Sequence, residues 1–214
     1  MTEKTFFVTG CAGFIGSHVA ERLLSQGHNV YGIDNLDPFY PRKVKEDNLN
    51  ILYNYSRFHF EKYSLEDIRS CTWYNSNTTF DCIIHLAASL GVQNTEKNSL
   101  DCLDINILGT KKILDVVKKN KIKRFIFSSS SEVYGDQKKF PLREDYEFRV
   151  KSTYALSKIT SEFYVRSYTK KFNLNCNIVR FFNVYGEDQK KNFVIPKFID
   201  LVSKSKNLLV YGKG

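Results

Sequence analysis

Between residues 5 and 181, short apolar runs alternate with stretches in which apolar residues return every third or fourth position. The runs Thr5–Thr9, Asn29–Ile33, Phe58–Glu61, Cys82–Leu86, Phe125–Ser128 and Cys176–Phe181 have the length and the β-branched and aromatic content of strands. The intervening stretches predict helices over Ile15–Ser25, Val44–Leu52, Leu103–Asn120 and Tyr154–Lys171. Two of the strands, in CIIHLA and FIFSS, are apolar nearly throughout, which is the pattern of a strand covered on both faces. Alternating strands and helices imply βαβ units. The fold class predicted is therefore α/β, a doubly wound parallel sheet.

Composition narrows the setting. The 214 residues suffice for one large domain, or one domain and part of another. Hydrophobic residues at 42% and charged residues at 26% are the balance of an ordinary globular protein. No run of 18 apolar residues occurs, so no membrane span is expected. The opening MTEKTFFVTG lacks a basic segment followed by a long apolar stretch, so it does not read as a secretory signal. Five cysteines are scattered without a CxxC pair, which favours reduced thiols in a cytoplasmic protein over a disulfide frame or a metal site. The net charge of +9 raises nucleic acid as a partner. However, the lysines are spread through polar helix faces and loops, as in KKILDVVKKNKIKR and SKSKN, and not gathered with aromatics in one patch. A solvated surface is the better reading, and its positive field favours small anionic ligands.

The first strand, TFFVT, runs into Gly10-Cys-Ala-Gly13-Phe-Ile-Gly16 and then a helix. Glycines alone are weak evidence, but between a first strand and a first helix they specify a pyrophosphate-binding turn. Gly10 permits the tight turn, Gly13 the approach of a phosphate, and Gly16 the close packing of helix on strand. The second strand ends at Asp34, 18 residues beyond Gly16. A carboxylate there can accept hydrogen bonds from the adenosine ribose hydroxyls and repels a 2′-phosphate, so the cofactor expected is NAD, on a Rossmann fold.

Tyr154 and Lys158 stand four apart in a predicted helix and so share a face. A phenol titrates near pH 10, but a neighbouring ammonium and a cationic nicotinamide ring stabilise its anion. Tyr154 could then take the proton of a hydroxyl as its carbon is oxidised. An isolated YxxxK usually marks two exposed helix residues. Here it follows a strand ending in four serines, which offer a third partner.

The spacing GxxGxxG and the ordered segments TGCAGFIGSH, DCIIHLAA, INILGT, FIFSSSSEVYG, YALSK and VRFFNVYG resemble the extended short-chain dehydrogenase/reductases. That branch holds NAD-dependent nucleotide-sugar epimerases and dehydratases, and the resemblance runs from residue 5 to the end of the chain. It implies that Ser130 completes a catalytic set with Tyr154 and Lys158, and that Lys158 also holds the nicotinamide ribose. It places Gly10, Gly13, Phe14, Ile15, Gly16, Asp34, Asn35, Leu86, Ala87, Ala88, Asn106, Ser128, Tyr154, Lys158 and Phe181 around the cofactor. Ser130, Ser131 and Asn183 fall where the family meets its nucleotide-diphosphate sugar, with Phe182 and Val184 beside them. A homodimer is implied, through a four-helix bundle of the helices Leu103–Asn120 and Tyr154–Lys171.

Glu132 divides the readings. A glutamate at this position in 4,6-dehydratases and UDP-glucuronate decarboxylases could abstract a proton from C5 of a 4-keto sugar. Ser131 stands where the dTDP-glucose dehydratases carry aspartate, while GDP-mannose dehydratases and the decarboxylases accept serine. GIDNLDPFYPRKVKEDNL, with Tyr40, Lys45 and Leu49 in register, resembles UDP-glucuronate 4-epimerases. Against a uronic acid substrate, Gln93 replaces an arginine common in that subgroup, and Glu132 would repel a sugar carboxylate. Ser64 replaces an aspartate that usually holds the adenine amino group. The expected function is a nucleotide-sugar 4-epimerase working through a transient 4-keto sugar. A 4,6-dehydratase or decarboxylase using Glu132 is the first alternative. A non-catalytic NAD-binding protein is the second. The boundaries expected are an NAD-binding domain over 1–182 and only the start of a substrate domain over 183–214, since the family continues past LLVYGKG.

Overall fold

The computed structural model describes residues 2–75, 78–210 and 212. Six strands, β1 (Thr5–Thr9), β2 (Asn29–Asp34), β3 (Phe58–Lys62), β4 (Cys82–His85), β5 (Arg124–Ser130) and β6 (Cys176–Phe181), form one parallel sheet in the order β3-β2-β1-β4-β5-β6. Between β3 and β4 the chain crosses from the β3 edge back to the middle of the sheet, where β4 pairs with β1. The strand order therefore reverses between β1 and β4, where a doubly wound sheet opens a crevice at its carboxyl ends.

The helices are α1 (Phe14–Ser25), α2 (Arg42–Tyr53), α3 (Thr72–Asn75), α4 (Val92–Lys97), α5 (Ser99–Leu103), α6 (Gly109–Lys119), α7 (Thr153–Phe172) and α8 (Val194–Ser203). The apolar strands are explained by two cores. Phe7 and Ile83 point to a core shared with Ile113, Leu114, Val117 and Val165 of α6 and α7. Val8 and Ile84, next to them in sequence, point to the other face with Ala20, Leu24, Leu49 and Leu52 of α1 and α2. Successive residues of one strand thus enter opposite cores, and neither position can be polar without a partner.

Several boundaries differ from those read in the sequence. β4 stops at His85, not Leu86, because the N–H groups of Leu86 and Ala87 turn to the hydroxyl of Thr9. β5 runs on to Ser130, since Ser128, Ser129 and Ser130 pair with Val179, Arg180 and Phe181 of β6. The helix expected over Leu103–Asn120 begins earlier, as α5, and passes into α6 through a single π-turn over Asp104–Leu108. That wider turn is held by Asn106, described below. α8 has no counterpart in the sequence reading.

The chain separates into two compact units, Met1–Phe182 and Asn183–Gly214. The first contains the sheet, and the second contains α8. Among the described residues no helix is long and apolar enough to cross a membrane, and no cluster of three His, Cys, Asp or Glu side chains could hold a metal ion. All five cysteines are unpaired.

Candidate active site

The glycine turn shows which glycines the protein itself needs. A Cβ on Gly16 would lie 2.0 Å from the carbonyl oxygen of Gly10, and one on Gly10 would lie 2.9 Å from Ala87 N. Gly10 also has φ +74°, which disfavours any side chain. At Gly13 the single neighbour is Gly10 O at 3.3 Å. The space over Gly13 is open, a cradle that a methyl group would enter. Gly13 also caps α1, whose first N–H groups and positive dipole end face that space. The half-buried Phe14 and Ile15 form the first turn of the helix. These residues fit a dinucleotide pyrophosphate.

Asp34 ends β2 and is buried. Its Oδ1 accepts from Leu36 N at 2.7 Å and from Lys45 Nζ at 2.8 Å, and its Oδ2 from Ala12 N at 3.3 Å. With two bonds on Oδ1 and a long one on Oδ2, the carboxylate keeps acceptor capacity chiefly at Oδ2. Asn35 is exposed beside it.

Across the crevice, Thr9 and His85 are neighbours in the β1–β4 register. The His85 ring is buried between two hydroxyls, Thr9 Oγ1 at 2.7 Å from Nδ1 and Thr110 Oγ1 at 3.1 Å from Nε2. Thr110 donates its proton to Asn106 O at 2.6 Å, so it accepts from His85 Nε2–H. Thr9 accepts from the N–H groups of Leu86 and Ala87 and donates to Nδ1. This chain assigns the tautomer. Burial, with the charge of Lys158 adding, pushes the imidazole down to about 3, so His85 is neutral.

Asn106, in the π-turn, binds Ser89 through both main-chain groups: Oδ1 accepts from Ser89 N at 2.7 Å, and Nδ2 donates to Ser89 O at 3.2 Å. Nδ2 also donates to Ser157 Oγ at 2.9 Å, and Ser157 donates to Tyr154 O at 2.8 Å. One buried amide therefore ties the loop that carries Leu86, Ala87 and Ala88 to the helix that carries Tyr154.

The three serines of β5 have three tasks. The carbonyl of Ser128 accepts from Lys158 Nζ at 2.9 Å. The hydroxyl of Ser129 donates to Glu162 Oε1 at 2.6 Å. Ser130 caps a tight turn over Ser131–Tyr134, its Oγ accepting from Glu132 N at 3.2 Å, and its hydroxyl also acts on the Tyr154 phenol. Fully buried Glu162 is in turn held by Arg180 at 2.8 Å on each oxygen. Burial pushes the Glu162 carboxyl up, but Arg180 and Ser129 outweigh it and hold it below the usual carboxylate range. Arg180 lies over the rings of Tyr134 and Phe148, and its Nη1 donates to Tyr134 Oη at 2.9 Å.

α7 begins just before Tyr154 because Ser152 caps it, accepting from Ala155 N at 3.1 Å, while Glu96 accepts from Thr153 N at 2.6 Å. One turn on, Lys158 is buried with its ammonium 5.7 Å from the Tyr154 ring centroid and 5.2 Å from that of Phe127. Burial lowers the lysine to about 8, so it still carries its proton at neutral pH. Burial also pushes the Tyr154 phenol up to about 12; Ser130 opposes the rise, and Cys102 and Glu132 add to it. In the protein alone Tyr154 therefore holds its proton at neutral pH.

The structure thus gathers the glycine turn, Asp34, Leu86, Ala87, Ser128, Ser130, Tyr154 and Lys158 at the carboxyl ends of the strands, with half-buried Phe181 paired to Ser130. Ala88 and Ser131 are half-buried, and Glu132 is exposed with its charge acting on Tyr154. Asn183 is exposed and belongs to the second unit. The side chain of Gln93 lies outside the described residues. Sequence reading assigned no role to Thr9, His85, Thr110, Ser157 or Glu162, and took Lys45 only as a register mark. The available signal was a polar residue interrupting a strand or helix face that is otherwise apolar.

Comparison with known proteins identifies the family and agrees with the fold. Residues 7–214 match the family model described as GDP-mannose 4,6 dehydratase. A probable UDP-glucuronate 4-epimerase of Rhizobium meliloti is 32% identical over 210 residues, 98% of this chain and 62% of that protein. A UDP-N-acetyl-alpha-D-glucosaminuronate decarboxylase of Bacillus cytotoxicus is 35% identical over 227 residues, 99% of this chain and 65% of the relative. The crystal structure of UDP-glucuronic acid 4-epimerase from Bacillus cereus, in complex with UDP-glucuronic acid and NAD, superimposes with a TM-score of 0.89 at 31% identity, covering 98% of this chain and 66% of that one. The chain thus spans somewhat under two thirds of the length of such relatives. With the parallel sheet, the glycine turn and the family match in agreement, the chain belongs to the GDP-mannose 4,6 dehydratase family, among the NAD-dependent epimerases and dehydratases of the extended short-chain dehydrogenase/reductases.

Proposed function

We propose that the chain binds NAD over 1–182 and takes part in 4-epimerisation of a nucleotide-diphosphate sugar, with the segment 183–214 contributing to the substrate side. The observation that carries this reading is the Ser130–Tyr154–Lys158 set, built on buried supports at the carboxyl end of a sheet whose glycine turn is open to a pyrophosphate.

Gly10, Gly13 and the first turn of α1 hold the pyrophosphate, Asp34 meets the adenosine ribose, and Leu86, Ala87 and Ala88 border the ring. NAD, when bound, supplies the hydride acceptor and donor that interconvert a carbinol and a ketone. Tyr154 Oη takes the proton of the sugar hydroxyl and later returns it. Ser130 hydrogen-bonds the same oxygen and keeps it in line with Tyr154. Lys158, anchored on Ser128 O, holds its ammonium beside the phenol and so stabilises the phenolate. His85 is neutral and so leaves Lys158 charged, because a second buried cation would drive its proton off. Oxidation followed by reduction at the same carbon leaves no net redox change, so no external oxidant is required.

Glu132 supports a second reading. It is exposed at the site, its charge acts on Tyr154, and a decarboxylase is among the relatives. In a 4,6-dehydratase or decarboxylase its carboxylate would act on the 4-keto sugar. Mass spectrometry of products from a panel of UDP-, GDP- and dTDP-sugars incubated with the chain and NAD separates the readings. A new isomer at unchanged mass supports epimerisation, and loss of water or carbon dioxide transfers the assignment to Glu132. No product with NAD still bound leaves a binding protein.

Pairing of two copies through α5–α6 and α7 belongs to the same proposal. Leu100, Leu108, Leu156 and Phe163 are exposed on these helices.

A further inference from the structure

Three donors converge on the Asp34 carboxylate: Lys45 Nζ and Leu36 N on one oxygen, and Ala12 N on the other. Lys45 comes from the inner face of α2, whose buried residues are Lys45, Asn48, Leu49 and Leu52. Asn48 fixes the turn that supplies Ala12 N, donating to Ala12 O at 3.0 Å. On an inward helical stripe, packing alone calls for Leu or Met. The lysine is there with its ammonium desolvated and paired, its side chain 8% exposed against 5% for Asp34.

One ammonium and two main-chain N–H groups around an anion are also the donors that a phosphate monoester requires. The site is therefore a finished anion cradle, and its occupant is the chain's own carboxylate. The pair is neutral overall, so a 2′-phosphate is kept out mainly because Asp34 fills the cradle, with net negative charge contributing less. We propose that Lys45 is a specificity-determining residue of the cofactor site: with the Asp34 carboxylate removed, its ammonium receives the 2′-phosphate of NADP. The inference rests on the reading that a dinucleotide ribose lies at the end of β2.

The test is titration calorimetry of NAD and NADP into the full chain, which reads binding and needs no turnover. The parent should prefer NAD. Asp34→Ser should raise NADP affinity by on the order of 10–100-fold, the range of one or two charge-assisted hydrogen bonds. The double variant Asp34→Ser with Lys45→Met should lose that gain. Asp34→Ser leaves a buried ammonium unpaired and can fail to fold, so Asp34→Asn is measured alongside. Asn keeps an acceptor for Lys45 and Leu36 N, and its smaller rise in NADP affinity should likewise vanish with Lys45→Met. If the parent binds NAD but no NADP gain depends on Lys45, the proposal is overturned and the cofactor reading stands. If the parent binds no NAD, the cofactor reading falls and takes the proposal with it.

Discussion

At the scale of single residues, the site depends on keeping one buried charge and excluding another. Tyr154 enters with a phenol at about 12 and Lys158 with an ammonium at about 8, both displaced by burial. If Tyr154 carries the proton, Tyr154→Phe removes one hydroxyl and little else. Turnover should fall by on the order of 10²–10⁴-fold, the usual contribution of a positioned acid or base, while the NAD dissociation constant measured by calorimetry stays within about twofold. A parallel loss of NAD binding would show that the hydroxyl holds the cofactor and does not serve the reaction. His85 makes a different statement, about stability. Its folded value, about 3, lies below the ordinary 6.5, so the unfolded chain binds the extra proton and stability is lost as pH falls from 6.5 toward 3. At pH 5 this amounts to on the order of 2 kcal/mol. His85→Gln should therefore flatten the decline in urea midpoint between pH 7.5 and 5 relative to the parent; an equal decline in both would place the acid sensitivity elsewhere. Tyr154 and Lys158 could be paired from the sequence because they stand four apart on one helix, and Ser130 was joined to them by the family resemblance. Thr9, His85 and Thr110 could not be, because what unites them is the β1–β4 register and a turn of α6, and neither is written in local sequence.

Elements differ in how far their sequence announces them. The strand–glycine–helix opening stands out because Gly10 and Gly16 are demanded by the protein's own backbone, whereas the fold leaves the space over Gly13 open. Two substitutions of one methyl group therefore separate folding from binding. Gly16→Ala places a Cβ 2.0 Å from Gly10 O, a rigid backbone atom, and should cost at least about 3 kcal/mol in urea unfolding. Gly13→Ala meets Gly10 O at 3.3 Å, a tight but bearable contact, and should change stability by under about 1 kcal/mol while weakening NAD at least about 10-fold. Retained NAD affinity in Gly13→Ala would remove the pyrophosphate from the space over that turn. The π-turn over Asp104–Leu108 was illegible for the opposite reason: no residue type requires it, and Asn106 imposes it through bonds to Ser89 and Ser157 far along the chain. The β5–α7–β6 tie is of the same kind. Ser129, Glu162 and Arg180 look like ordinary polar residues until β6 is laid beside β5. Arg180→Met then leaves a fully buried carboxylate without its main partner, an expected loss of about 3–5 kcal/mol by denaturant unfolding. A loss under about 1 kcal/mol would mean that Ser129 and Arg166 suffice to hold Glu162.

For the whole molecule, topology was readable and assembly was not. Six strand patterns in a row, separated by helices, leave few arrangements other than a doubly wound parallel sheet, and the observed order β3-β2-β1-β4-β5-β6 is one of these. Helix stripes carry no such rule, since an apolar stripe serves a core and an interface equally well. The structure shows which of these side chains the core takes and which it leaves exposed. α7 buries Ala155, Ile159 and Val165 but exposes Leu156 and Phe163, and the α5–α6 segment buries Cys102, Ile113 and Leu114 but exposes Leu100 and Leu108. These two helices also pack side by side, joined by the bond from Tyr168 Oη to Asp115 at 2.6 Å. Two adjacent helices with outward apolar side chains are suited to meet the same pair in a second copy, because a two-fold axis brings identical patches together. Sedimentation velocity of the parent should therefore show a dimer. Leu156→Asp with Phe163→Asp puts charges on α7 at exposed positions, where a lone chain pays little and a pairing face cannot keep them hydrated. The variant should sediment as a monomer with its NAD affinity within about twofold of the parent, since neither side chain belongs to the cofactor set. A parent that is already monomeric at micromolar concentration would assign Leu100, Leu108, Leu156 and Phe163 to ordinary exposed surface. Loss of NAD affinity together with the dimer would mean that α7 is held in register by its partner copy, which links the position of Tyr154 to assembly.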